Sequence, residues 1–61
     1  MTNNLNRPEE AAEKIRVSRA TLFGLIKEGR IRSVKIGRRR FVTDAALNEY
    51  VERLEADAGA A

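Results

Sequence analysis

Between positions 14 and 42 the chain sets ten cationic side chains, Lys14, Arg16, Arg19, Lys27, Arg30, Arg32, Lys35, Arg38, Arg39 and Arg40, against one acid, Glu28. That stretch carries a net +9. The rest, Arg7 and Arg53 against eight acids, carries −6, and the whole comes to +3. A merely solvated surface scatters its charges, whereas segregation of this kind points to a polyanion-binding middle between solubilising segments. The chemistry on offer is recognition of phosphates by charge and hydrogen bonds. Covalent chemistry is poorly served. The 61 residues include no cysteine and no histidine. Disulfides are therefore impossible, a zinc site lacks its ligands, and the usual general base and strong nucleophile are missing. The chain reads as a non-enzyme without cofactor or metal.

The elements that must position these cations follow from punctuation and period. Ser18 fits a helix N-cap, accepting from the N–H of Ala20 or Thr21, and Gly29 can close the same helix in the left-handed conformation. Between them Leu22, Leu25 and Ile26, spaced i, i+3, i+4, form one narrow apolar stripe. The opposite face carries Arg19, Ala20, Phe23, Gly24 and Lys27. It is basic, and small in the middle, which suits the floor of a DNA major groove. Upstream, Pro8 suits a first helical turn and Glu9 and Glu10 favour the positive end of its dipole, with Asn6 or Arg7 as cap. Leu5 is the first expected core residue, and Ala11, Ala12 and Ile15 form a small inward face before a stop near Ile15 or Arg16. Two short helices so joined make a helix-turn-helix.

After Gly29 the period becomes that of strands, with Ile31, Val34 and Ile36 apolar. Gly37-Arg38 fits a two-residue type II′ hairpin turn that pairs Ile36 with Arg39 and Val34 with Phe41, although a longer loop through Arg39 is equally compatible. Thr43 or Asp44 caps a last helix. There Leu47, Tyr50, Val51 and Leu54 form the stripe expected to close the domain over the first two helices, with Glu49, Glu52 and Glu55 facing outward. The fold expected is mainly α with a β-hairpin, a winged helix-turn-helix over residues 5–56. Residues 1–4 and 57–61 are expected to be disordered ends. No apolar run approaches the roughly 20 residues of a membrane span, and no signal peptide is visible, so a cytoplasmic protein without membrane contact is expected.

Pro8-Glu9-Glu10-Ala11-Ala12, Val17-Ser18-Arg19, Thr21-Leu22, Lys27-Glu28-Gly29 and Val34-Lys35-Ile36-Gly37-Arg38-Arg39-Arg40, in that order and spacing, resemble the excisionase group of MerR-like winged-helix DNA-binding domains. The resemblance runs from Leu5 to about Val51. It implies a recognition helix in the major groove and a wing reaching phosphates or the adjacent minor groove. It also implies the usual work of such proteins in phages and mobile elements: binding side by side near an attachment site, bending double-stranded DNA, and directing an integrase toward excision. Carried over by position, Ser18, Arg19 and Thr21 match the helix start that meets phosphate. Ala20, Phe23, Gly24 and Lys27 match groove-facing positions, and Lys35 with Gly37, Arg38, Arg39 and Arg40 matches the wing. Two departures stand out. Arg16 occupies a turn position where the group often has glycine, and Ala20 and Gly24 stand where long polar residues are common. Affinity is then expected mostly from phosphates and DNA shape rather than base edges.

A small transcription regulator using the same surface is the alternative, with a dimeric MerR-type regulator disfavoured because no long dimerisation helix follows Leu54. A protein-interaction adaptor would need exposed hydrophobic residues beyond the core, and Phe23 alone is expected to be one. Single-stranded RNA binding would need stacking aromatics, of which there are few. With no spare apolar face once the helices pack, the expected state is a free monomer whose neighbouring copies line up on DNA.

Overall fold

The computed structural model describes residues 4–59. Its elements in chain order are β1 (Leu5–Asn6), α1 (Pro8–Lys14), α2 (Arg19–Lys27), β2 (Val34–Ile36), β3 (Arg39–Thr43) and α3 (Asp44–Gly59). The order helix, turn, helix, hairpin, helix is that of a winged helix-turn-helix.

Both helices of the motif end in the same way. At the end of α2 the N–H of Arg30 reaches the carbonyl of Leu25 (2.9 Å) and that of Gly29 the carbonyl of Ile26 (3.1 Å), with Gly29 at φ +79°. At the end of α1 the N–H of Val17 reaches Ala12 (2.9 Å) and that of Arg16 reaches Glu13 (3.1 Å), with Arg16 at φ +58°. These are two Schellman motifs, and each satisfies carbonyls that would otherwise be orphaned. The left-handed residue is glycine in one and arginine in the other. An L-residue pays roughly 1–2 kcal/mol for that conformation, so the turn in which Arg16 stands where the group often has glycine is strained there. The start of α1 is capped at Arg7 rather than Asn6: the Arg7 N–H donates to Glu10 Oε1 (2.9 Å).

Asn6 has a different task. It is 4% exposed and lies in β1, antiparallel to β3, with Asn6 opposite Val42 and Leu5 opposite Thr43. The Asn6 Nδ2 group donates to the carbonyl of Val42 (3.0 Å) and to Asp44 Oδ1 (2.8 Å), and Lys14 Nζ donates to that same carboxylate oxygen (2.9 Å). Asp44 is held below its ordinary carboxylate value, first by the Asn6 hydrogen bond and then by Lys14. This polar knot ties β1, β3, α1 and the start of α3 together. The resulting sheet, in the order β1-β3-β2, has one strand more than the expected hairpin. Leu5, expected in the core, is 48% exposed on this short edge strand.

The core is Ala11, Ala12, Leu22, Ile31, Val42, Ala46 and Leu47, with Ile15, Val17, Leu25, Ile26 and Tyr50 packed partly against it. Two alanines on α1 let α2 approach, so Leu22 is wholly buried. Thr43 caps α3 through a hydrogen bond from the Ala46 N–H to its Oγ1 (3.1 Å). The last helix departs most from expectation. Ala46 and Leu47 are buried in its first turn, but Val51 and Leu54 are 40% and 46% exposed. The stripe therefore does not close over α1 and α2; its beginning packs against β3 and into the core. A helix of 16 residues is about 24 Å long, and the core it rests on is too small to cover that length. A spare apolar face thus exists, and Val34, Ile36 and Leu5 join Phe23 as exposed hydrophobic residues.

The Asn4 carbonyl accepts from the Asp44 N–H (3.1 Å) and α3 runs on through Asp57 to Gly59, while residues 1–3, 60 and 61 lie outside the described residues. Among the described residues no helix is long and apolar enough to cross a membrane.

Candidate nucleic-acid interface

Ser18 caps α2 as its type requires. Its Oγ accepts from the Thr21 N–H (3.1 Å), and its hydroxyl donates to Thr21 Oγ1 (2.9 Å). Both hydroxyls are thus engaged with each other at the helix start. With Leu22 turned inward, Arg19, Ala20, Thr21, Phe23 and Lys27 are exposed and Gly24 is half-buried. The Arg19 guanidinium lies over the Phe23 ring, 5.2 Å from its centroid, a cation–π contact that orients a long side chain otherwise free to wander.

The wing has the tight register. Ile36 pairs with Arg39, Lys35 with Arg40 and Val34 with Phe41, around a two-residue turn whose Gly37 has φ +62°. Arg38, the second turn residue, is not in the left-handed region, as a type II′ turn requires. Strand alternation puts Val34, Ile36, Arg39 and Phe41 on one face and Lys35 and Arg40 on the other. Lys35 and Arg40 are like charges directly opposite each other, an unfavourable pair. Arg40 Nη1 is anchored by donating to Ser33 Oγ (2.8 Å).

The ion pairs sort the cations into two groups. Lys14 pairs with Asp44, Arg30 with Glu28, and Arg32 and Arg53 both with Glu49. Among the described residues Arg7, Arg16, Arg19, Lys27, Lys35, Arg38, Arg39 and Arg40 have no carboxylate partner. Every cation expected at the site falls in the second group.

An open concavity of ≈ 680 Å³ gathers several of them. Arg19 and Phe23 from α2 and Arg38, Arg39, Arg40 and Phe41 from the wing line it, together with Arg7, Pro8 and Glu9 at the start of α1. The expected residues Ser18, Ala20, Thr21, Gly24, Lys27, Lys35 and Gly37 do not line it. They lie elsewhere on α2, at its N-cap and on the wing. Arg7 was not expected at the site. It lies outside the basic stretch, and its place before Pro8 marks it as a helix boundary, so its only signal was its charge.

The model of the helix-turn-helix domain family matches residues 7–55. A curated relative from Saccharopolyspora erythraea, described as a probable excisionase, is 40% identical over 53 residues, which is 87% of this chain and 54% of the relative. The chain thus spans about half the length of the curated relative it matches. No solved structure matches it. The resemblance to excisionases drawn from the short motifs is borne out, and since the match takes in both helices of the motif, the wing and most of α3, the chain belongs to the helix-turn-helix domain family.

Proposed function

We propose that this chain binds double-stranded DNA as an excisionase, with α2 in the major groove and the β2–β3 wing on the phosphates or the adjacent minor groove. The observation that carries this reading is the sorting of the cations. Those that meet an acid are neutralised within the protein, and those left without one include Arg19 and Lys27 on α2 and Lys35, Arg38, Arg39 and Arg40 on the wing. Arg19 and Lys27 are the only side chains on the groove face with hydrogen-bond donors for base edges, besides the Thr21 hydroxyl. Ala20 and Phe23 offer apolar contact to thymine methyls. Most of the affinity then comes from phosphates and from the cost of shaping the duplex.

One copy with so few base contacts discriminates poorly, so copies act in a row. Charge complementarity supports this: Glu52, Glu55 and Asp57 on α3 have no ion-pair partner among the described residues, and they can face a basic edge of a neighbouring copy. Such contacts are weak alone and gain from the high local concentration that DNA imposes. A row of copies pulling on adjacent phosphates bends the attachment site and directs a site-specific integrase toward excision. The likeness to a probable excisionase supports this last step.

The test is a titration of labelled duplexes, cut to hold one, two or three copies, across a range of salt. With about five or six phosphates contacted, log K falls against log salt with a slope near −5, and per-copy affinity rises with duplex length. Arg39→Ala with Arg40→Ala weakens binding to all sequences alike. A slope near zero refutes DNA binding by this surface, and equal per-copy affinity on all three lengths refutes the row.

A further inference from the structure

We infer that the concavity between the start of α1 and the wing seats the sugar–phosphate backbone of one strand, with Arg7 as a phosphate-binding residue. The inference rests on the DNA-binding reading above and adds to it a contact from the start of α1, outside the α2 surface and the wing.

Three observations carry it. First, Arg7 lines the same concavity as Arg19, Arg38, Arg39 and Arg40, so residues far apart in sequence share one open trough of ≈ 680 Å³. Five arginines against Glu9 leave that trough strongly positive. Second, the Arg7 side chain is uncommitted. Its backbone N–H is taken by Glu10, but its guanidinium is in no ion pair with any described residue, even though Glu9 is adjacent. Third, part of the trough is already ordered. Arg19 is held over Phe23, so one of its guanidinium groups needs little further ordering to receive an anion.

The shape and lining select the class of ligand. An enclosed pocket would suit a free anion, but this is an open trough running from the start of α1, past α2, to the wing. A chain of phosphodiesters fits it better than a single phosphate. Phe23 and Phe41 supply apolar surface against which a deoxyribose can pack, while the planar guanidinium of Arg7 suits a bidentate grip on phosphate oxygens. Fixing the strand here sets the register of α2 on the duplex and carries no sequence information.

The experiment compares wild type, Arg7→Gln, Arg7→Lys and, as a control away from the trough, Arg53→Gln. Each is titrated onto a duplex and onto an unrelated duplex across a salt series. For Arg7→Gln the log–log slope becomes shallower by about 0.9 and affinity falls about fivefold at 0.15 M salt, on both sequences alike. Arg7→Lys keeps the wild-type slope, Arg53→Gln matches wild type, and all four melt alike. A second series replaces single phosphates by neutral methylphosphonates. One linkage costs the wild type affinity but costs Arg7→Gln nothing further, which identifies the phosphate that Arg7 holds. A wild type with no salt-dependent duplex binding overturns the DNA-binding reading and this inference together. A steep wild-type slope shared by Arg7→Gln overturns only the backbone seat, and so does additivity at every linkage.

Discussion

Gly24 offers a perturbation in which stability and binding move in opposite directions. It is the sixth of nine residues in α2, its φ is not in the left-handed region, and its carbonyl accepts an ordinary helical hydrogen bond from the Glu28 N–H (3.0 Å). A Cβ built there meets nothing within 4 Å. Nothing inside the protein therefore requires glycine, and the residue retains only its helix penalty, about 0.8–1.0 kcal/mol relative to alanine. Gly24→Ala is expected to stabilise the fold by about 1 kcal/mol, which for a domain of this size raises the melting temperature by roughly 4–8 °C. The new methyl projects near Ala20 and Lys27, its neighbours at i−4 and i+3 on the face proposed for the groove. If the helix backbone lies close to DNA, the methyl must push it away, and overpacking of that kind costs about 1–3 kcal/mol, or roughly five- to 150-fold in affinity. Thermal melting by circular dichroism and duplex titration on the same preparation read both effects. A lowered melting temperature would refute the claim that the space is open. A raised melting temperature with unchanged affinity would refute the close approach and leave Gly24 as a tolerated surface glycine. A variant that merely damaged the fold could not give the expected result, because the two readings must diverge.

Two other outcomes test the core and the polar knot. Leu22→Ala removes a wholly buried side chain and should cost roughly 2–5 kcal/mol, enough to unfold much of a small domain, while Leu54→Ala, 46% exposed, should change melting by no more than about 0.5 kcal/mol; equal effects in a denaturant titration would show that α3 packs differently. Asp44 is depressed in the folded state by Asn6 first and Lys14 second, so its contribution is present above the ordinary aspartate value of 3.8 and is lost as pH falls through the lower folded value. The gap in melting temperature between wild type and Asp44→Asn should therefore shrink as pH drops below about 4, and a gap constant from pH 7 to pH 2 would contradict the hydrogen-bonded carboxylate.

Much of the fold was legible because its signals are local. Ser18 and Gly29 mark both ends of α2 by chemistry that acts within a turn, and Gly37-Arg38 sets a register in which Ile36 meets Arg39. What escaped is non-local. Asn6 fits a capping residue by every nearby cue, but its amide is spent on Val42 and Asp44, 36 and 38 residues away. Arg16 fills a left-handed position for which glycine is the usual marker, so the turn had no punctuation of the expected kind. The stripe Leu47, Tyr50, Val51 and Leu54 was correct as a period, but periodicity describes one face of a helix and not the extent of what it meets. A core of three alanines and four larger side chains, Leu22, Ile31, Val42 and Leu47, reaches only the start of α3.

The same distinction sorts the cations of the proposed interface. Counted along the chain, the basic stretch holds ten, and its boundary is drawn by neighbours in sequence. In space the boundary is drawn by acids. Asp44 takes Lys14, Glu28 takes Arg30, and Glu49 takes Arg32 along with Arg53. Three of the ten are thereby answered inside the protein, and Arg7, from the acidic side of the sequence, joins the concavity instead. An ion pair on a surface stabilises little, but it decides whether a guanidinium or ammonium group meets a phosphate as a bare charge or as half of a neutral pair. On the proposed reading the linear charge pattern points to the surface, and three carboxylates at the end of α2 and on α3 remove Lys14, Arg30 and Arg32 from it.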